Sequence, residues 1–376
     1  MDMKKERIRL LDILRGFAIA GTLGTNIWIF AHLGDLSYIT TYEYSSWWSL
    51  EDFWRMFILF LVNGKLLGLL TIMFGVGLEL KYRQSLRKNQ PWPGLYIWTS
   101  CILIMEGFIH FLFVMEYDIL MSYGITAIIV SLIIKGGDRI ISRTMKVIGG
   151  IHAVFVLFLL LVGILGANMS LGSFYDVTLL YKDGTWLEQV NYRLDHFLLL
   201  RSEAILVIPM NIFLFLLGVR FMRSGVFSPN ESGKRKRKKL FNIGIYVGVP
   251  LNLLVFIPGG AFDLPVRYLF APILSLGYLA LIARMVERNE RLWIWRRLEQ
   301  MGKMSLSCYV MQNLIASFIF YGWGLGLGGK VNSLTVILLW ILICCCLMII
   351  SSFWLKYFTL GPMESMRKHA TGVMQR

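Results

Sequence analysis

The residues of this sequence able to do chemistry are polar and ionisable groups set inside long apolar stretches. Glu106 and His110 stand four positions apart, so on a helix they share one face. A carboxylate beside an imidazole orients the ring and favours its protonated form. The same pair can also act as mutually neutralised polar glue between helices. Asp118 and Tyr123 follow at the start of the next apolar stretch. Arg15 lies about five residues into the first stretch, with Asp12 one turn before it as a local partner. Its side chain can snorkel to inner headgroups or face an anion on the inner side. Asn26 comes eleven residues later, about 16 Å along a helix axis, and His32 ends the same stretch. Lys65 lies in the outer half of the second. A charge at the bilayer centre costs about 2.5–3.5 kcal/mol on insertion scales, so each of these groups needs a partner, a water-filled cavity or a function. Asn211, Asn252, Gln312 and Asn313 are uncharged, and hydrogen bonding between helices accounts for them.

The elements that must position these groups are membrane helices. Of 376 residues, 56% are hydrophobic, against about 45–50% in soluble domains. The excess comes in runs of about 20 residues, the length that crosses a hydrocarbon core of about 30 Å as a helix. The runs are continuous rather than alternating, which favours helices over barrel strands. Spans are predicted at about 10–32, 56–80, 95–115, 118–134, 145–166, 203–222, 241–260, 264–284, 304–326 and 334–356. This is an all-α, polytopic transmembrane bundle of about ten spans in a single integral-membrane domain over 1–376. With the N-terminus inside and the spans alternating, 30 of the 38 Lys and Arg fall in inner segments and five in outer ones. That asymmetry predicts both termini cytoplasmic in a bacterial-type plasma or inner membrane. The net charge of +15 is thus an orientation signal, and no nucleic-acid partner is expected. The tract Lys234–Lys239 is expected to contact anionic lipids.

Smaller features complete the reading. Asp12 and Arg15 interrupt the first apolar run, so it is expected to be a retained span rather than a cleaved signal. Residues 33–54 carry Trp47, Trp48 and Trp54 as interfacial anchors. Residues 167–202 form the longest outer loop, a lid or binding element. Residues 290–303, with Leu292, Trp293, Trp295, Leu298 and Met301, fit an amphipathic helix on the inner surface. Gly64–Gly68 and Gly244–Gly248 allow close helix approach. The five cysteines fit no zinc motif or disulfide framework, and the five histidines make no evident metal-ligand set. No bound metal or cofactor is expected.

Several motifs resemble a known family. Leu11-Asp12-Ile13-Leu14-Arg15-Gly16-Phe17-Ala18 with Asn26 and Ile27 resembles the opening of the YeiB-like family, a domain of unknown function. Four more blocks agree in order: Gly64-Lys65-Leu66 with Met73-Phe74-Gly75-Val76-Gly77; Gly107-Phe108-Ile109-His110 with Asp118-Ile119-Leu120 and Tyr123; Gly302 to Tyr309 with Gln312; and Gly361-Pro362-Met363-Glu364. At Cys308 the family more often has Asn. The first helix also resembles, distantly, the membrane acyltransferase superfamily, whose members share an Arg-Gly near the inner end of a span and an Asn or His about eleven residues on. Arg15 and Asn26 match that spacing. The lysosomal members place their catalytic His in the outer loop after the Asn. His32 is the nearest candidate here, closer to Asn26 than the family pattern.

These readings lead to an acyltransferase-like expectation. A cytoplasmic thioester donor such as acetyl-CoA or another acyl-CoA would bring its phosphates to a basic inner mouth at Arg15. His32 or His110 would be general base or acyl carrier, with Glu106 or Asp118 orienting the ring. Asn26 or Lys65 would stabilise an oxyanion, and Tyr123 and Gln312 complete the substrate-binding set. The acceptor would be an envelope glycan or lipid. The alternatives are a proton-coupled transporter of a small anionic solute, using Glu106, His110 and Asp118 as a relay with Lys65 on the substrate, and a non-catalytic membrane scaffold. No internal repeat supports the transporter.

Overall fold

The structure is a computed structural model that describes residues 8–41, 49–165 and 177–373. Trp47, Trp48 and the first part of the long outer loop lie outside the described residues. The described chain forms eighteen α-helical segments and no strand. They are α1 (Arg9–Ala31), α2 (Leu50–Val62), α3 (Lys65–Arg87), α4 (Leu95–Phe113), α5 (Leu120–Ile133), α6 (Gly137–Ile164), α7 (Thr178–Asp183), α8 (Trp186–Asp195), α9 (Phe197–Leu200), α10 (Ala204–Arg223), α11 (Glu231–Ile243), α12 (Val249–Leu253), α13 (Asp263–Pro265), α14 (Ala271–Arg288), α15 (Trp293–Lys303), α16 (Ser305–Phe320), α17 (Ser333–Tyr357) and α18 (Pro362–Val373).

Among the described residues, eight helical stretches are long and apolar enough to cross a membrane, and the chain is a helical membrane protein. One of the eight, Leu120–Ile164, contains both α5 and α6. They part at Gly137, whose φ of +76° only glycine adopts without strain. The shorter α16 is also apolar.

Burial sorts the helices into layers. The apolar window of α1 is 78% buried in protein, whereas that of α5–α6 is 11% buried. An apolar helix surrounded by protein is central, and one showing Ile151, Val154, Phe158 and Leu161 to its surroundings faces lipid. α1 packs against α3, α15, α16 and α17, and α3 against α10 and α14. Asn26 thus lies on the most buried span, whereas Glu106 and His110 lie on the inward face of α4, whose apolar window is only 28% buried.

The Arg15-Gly16 step has a packing role. A Cβ on Gly16 would come within 2.0 Å of the Leu298 carbonyl oxygen, and one on Gly302 within 1.8 Å of the Asp12 carbonyl oxygen. α1 and α15 thus meet backbone to backbone. α15 buries Trp295, Leu298 and Met301 and leaves Trp293 exposed, as its amphipathic pattern predicts. Backbone cannot yield to a methyl group as a flexible side chain can. Gly302→Ala is expected to cost at least about 1–3 kcal/mol of stability, read as a lower unfolding midpoint in detergent. An unchanged midpoint would mean that the two helices do not cross here.

The basic tract Lys234–Lys239 lies on α11. Five of its side chains are exposed, but Arg237 is buried, donating to the Val226 and Ser228 carbonyl oxygens at 2.5 and 2.9 Å and pairing with Glu287.

Candidate functional site

The central polar network spans three helices. His110, near the outer end of α4, places Nδ1 2.9 Å from Asp118 Oδ2, and both side chains are almost wholly buried. On its other side, His110 Nε2 lies 3.2 Å from Asn313 Nδ2 of α16. Asn313 Oδ1 accepts from Asn26 Nδ2 of α1 at 3.3 Å. With that amide orientation Asn313 donates to Nε2, which leaves the ring proton on Nδ1. Nδ1 and Asp118 Oδ2 stand at ion-pair distance but are not aligned for a hydrogen bond. The donors run from Asn26 through Asn313 to His110, and the Asp118 carboxylate stands beside Nδ1. Asp118 Oδ1 also accepts the Met121 backbone N–H at 3.1 Å, and its carbonyl oxygen accepts from Arg201 at 2.7 Å. The Tyr309 ring tilts against the imidazole, with centroids 5.1 Å apart.

The ends of this network, Asn26 and Asp118, border a cavity of about 50 Å³ that is also lined by Thr22, Thr25, Ser122, Tyr123, Arg201, Glu203, Arg267 and Tyr309 among others; His110 and Asn313 lie behind its wall and do not line it. That volume holds a few waters or a small functional group. A second cavity of about 190 Å³ shares Tyr117, Glu203 and Arg267 with the first. Its other walls come from Gly34, Leu36 and Ile39 after α1 and from Tyr192, Leu199 and Leu200 at the end of the long loop. The three shared side chains stand between the two spaces. Glu203 accepts from Tyr268 and from Arg267 Nη2, and Arg267 Nη1 donates to Asn63 Oδ1 at 3.1 Å.

At the opposite end of α1 lies a much larger vestibule of about 1470 Å³. Seven basic side chains line it (Arg15, Lys81, Arg83, Arg87, Lys303, Arg367 and Lys368) against one carboxylate, Glu364. Asp12 holds Arg15 from below, 3.4 Å from Nη1. Glu106, one turn inward from His110, accepts from Arg367 Nε at 3.0 Å. The expected Glu106–His110 partnership is thus divided: Asp118 meets the imidazole, and Glu106 meets an arginine of the vestibule wall. One turn of α4, about 6 Å of rise, separates the carboxylate paired with the vestibule arginine from the imidazole of the outer network.

The other predicted residues fall as follows. Tyr123 lines the small cavity and shares a 2.8 Å hydrogen bond with Thr71 Oγ1. Gln312 reaches Thr22 Oγ1 at 3.4 Å. Lys65 is buried with its ammonium over the Phe60 ring, beside a small space bordered by Asp263 and Arg267. His32 is stacked on Tyr38 at 3.4 Å and lines none of the three spaces above.

Residues 221–373 match the family described as "Protein of unknown function (DUF418)". The uncharacterized protein YxaH of Bacillus subtilis (strain 168) is 25% identical over 98% of this chain and 95% of its own. The uncharacterized protein YeiB of Escherichia coli (strain K12) is 25% identical over 97% of this chain and 96% of its own. The chain is thus similar to YeiB-like proteins of unknown function over nearly its whole length. The family match contains Asn313, Glu364 and Arg367, and the full-length YeiB-like similarity adds the half that holds Asn26, His110 and Asp118.

Sequence reasoning gave Asn313 only a helix–helix hydrogen-bonding role and gave Arg201, Glu203, Arg267 and Arg367 none. For α1 a signal was present: Thr22, Thr25 and Asn26 recur at helical spacing, a polar stripe inside an apolar span. For Arg367 there was none, because its partner lies 261 positions away.

Proposed function

We propose that this YeiB-like protein is an acyltransferase of the bacterial plasma or inner membrane, with both termini cytoplasmic. It moves an acyl group from a cytoplasmic thioester, such as an acyl-CoA, to a hydroxyl of an envelope glycan or lipid. The observation that carries the reading is the buried Asp118–His110–Asn313–Asn26 network, one helical turn beyond the Glu106 carboxylate that meets the vestibule wall. A buried carboxylate beside an imidazole can balance the imidazolium that a general base becomes. A basic vestibule suits the phosphates of a CoA-type donor.

In this mechanism the donor's phosphates rest among Arg15, Lys81 and Lys303, and its thioester reaches the outer network. The acceptor comes through the 190 Å³ space, past Tyr117, Glu203 and Arg267. The Asn313 amide turns its N–H from His110 Nε2 to the thioester carbonyl oxygen, and Asn26 supports it. The freed Nε2 takes the hydroxyl proton as the acceptor oxygen bonds to the carbonyl carbon. Asp118 stabilises the imidazolium. The tetrahedral intermediate collapses, the C–S bond breaks, and Nε2 returns the proton to the thiolate. Ester and free thiol leave on opposite sides.

The test is transfer of labelled acetyl from acetyl-CoA by the purified chain in liposomes to an envelope extract. Labelled product and salt-sensitive CoA binding support the reading. Proton-driven solute flux without transfer would replace it with transport. His32 separates the two imidazoles: His32→Phe keeps the stack on Tyr38 and is expected to cost far less than the about 10²-fold that a general base contributes. A loss of that size in initial rate would move the base to His32.

A further inference from the structure

We infer that the C-terminal helix α18 is a clamp that sets the His110–Asn313 contact, with Glu364 and Arg367 as its positioning residues. The catalytic value of that contact rests on the acyl-transfer reading, but the clamp has a readout of its own.

Two anchors hold α18. Glu364 Oε1 accepts the backbone N–H groups of Leu306 and Ser307 at 2.8 and 3.4 Å, and Oε2 accepts from Ser307 Oγ at 2.5 Å. These amides lie in the first turn of α16, where no intrahelical acceptor exists and a negative charge is favoured. Ser307 Oγ in turn accepts the Met363 N–H at 3.0 Å. Three residues on, Arg367 donates from Nε and Nη2 to a single oxygen of Glu106 on α4. α18 therefore grips α16 with one side chain and α4 with the next.

Those helices carry the two partners of the network. Asn313 is six residues beyond Ser307 on α16, about 9 Å of rise, and His110 is four beyond Glu106 on α4, about 6 Å. α18 packs against both helices, whereas α4 and α16 scarcely approach each other directly. Their spacing at His110 and Asn313 is thus held from the side by α18. An error of about 1 Å in such a constellation costs as much as about 10²-fold in rate. Losing Arg367 leaves the Glu106 carboxylate, only 10% exposed, without its cation and loosens both helices where the network forms.

The experiment compares the full chain with Arg367→Gln and Arg367→Lys in detergent, by hydrogen exchange and by acyl transfer. Arg367→Gln is expected to speed amide exchange several-fold in residues 106–113 and 306–314, leave α6 and α10 unchanged, and lower kcat by about 10–100-fold. Arg367→Lys keeps a cation and one donor toward Glu106, and is expected to restore slow exchange and most of kcat. Unchanged exchange at α4 and α16 in the Gln variant overturns the clamp, as does equal acceleration by Gln and Lys. If Arg367→Gln fails to fold, Glu364→Gln tests the other anchor, with faster exchange confined to 306–314 as the supporting result and no change as the contrary one. A wild-type chain without transfer defeats the acyltransferase reading alone, because exchange still decides the clamp.

Discussion

Replacing Asp118 with Asn is expected to lower acyl transfer by about 10²–10⁴-fold, the contribution of a positioned general base, while the protein stays folded. The substitution keeps the shape of the side chain and an oxygen able to accept from the Met121 amide, which Asp118 Oδ1 now does at 3.1 Å. It removes the carboxylate charge that stands 2.9 Å from His110 Nδ1. An amide can present its NH₂ to Nδ1 and drive the ring proton to Nε2. There the proton would face the Asn313 N–H, a donor against a donor at 3.2 Å. The imidazole would then lack the lone pair the reaction needs, and no carboxylate would balance the imidazolium. His110→Gln is expected to lose as much, since it keeps polar atoms but no titratable one. The double variant should be little worse than either single one, because the residues act as a unit. The measurement is initial rate of acetyl transfer in liposomes, with unfolding midpoints as the check on folding. An Asp118→Asn rate within a few-fold of wild type would remove the imidazole from the mechanism.

The sequence carried more of this arrangement than its low identity to relatives implies, and the shortfall has a physical cause. Helix content and the central place of α1 follow from apolar runs broken by Asp12, Arg15 and Asn26, since a polar stripe in an apolar helix must be surrounded by protein. His110 and Asp118 were legible as intramembrane titratable groups. Their pairing was one of two options, because the one-turn spacing of Glu106 and His110 offered a local partner beside Asp118. Side chains four residues apart can meet, but nothing obliges them to when tertiary partners compete. Glu106 found Arg367, and His110 found an Asp across the turn between α4 and α5. Asn313 was assigned to helix–helix hydrogen bonding, which it does make; the same bond orients the imidazole. His32 shared α1 with Asn26, but the turn after Ala31 stacks its ring on Tyr38. Local periodicity fixes which face a residue occupies, and long-range packing fixes what it touches.

Arg193→Met is expected to destabilise the protein by about 3–5 kcal/mol, because it strands a buried carboxylate. Arg193 of α8 is 1% exposed and lies 3.3 Å from Glu116 Oε2, itself 1% exposed. Its Nη1 and Nη2 donate to the Leu112 and Val114 carbonyl oxygens at 3.0 and 3.4 Å. These carbonyls end α4, so the guanidinium both neutralises Glu116 and caps a helix C-terminus where a cation is favoured. Tyr181 of α7 donates to the same Glu116 oxygen at 2.7 Å and stacks on Tyr321. One carboxylate thereby ties α7 and α8, the expected lid, to the end of the helix that carries His110. Burial, then the Glu116 charge, pushes the phenols of Tyr117 and Tyr181 well above their usual range. A phenol kept neutral in the fold stabilises it fully below the unfolded value of about 10, and that contribution is lost as pH rises above it. The lid should therefore loosen in alkali before the apolar helices do. Glu116→Gln is the gentler change: it keeps an oxygen for Arg193 and Tyr181 but leaves the arginine without a countercharge. The checks are the unfolding midpoint in detergent and the rate of proteolysis within 178–200, both expected to worsen more in Arg193→Met than in Glu116→Gln. Wild-type protease resistance in the Met variant would show that the lid is held by its apolar contacts alone. Because Tyr192, Leu199 and Leu200 wall the 190 Å³ space, a loosened lid should also raise the KM for the acceptor while leaving donor binding at the far end of α1 intact.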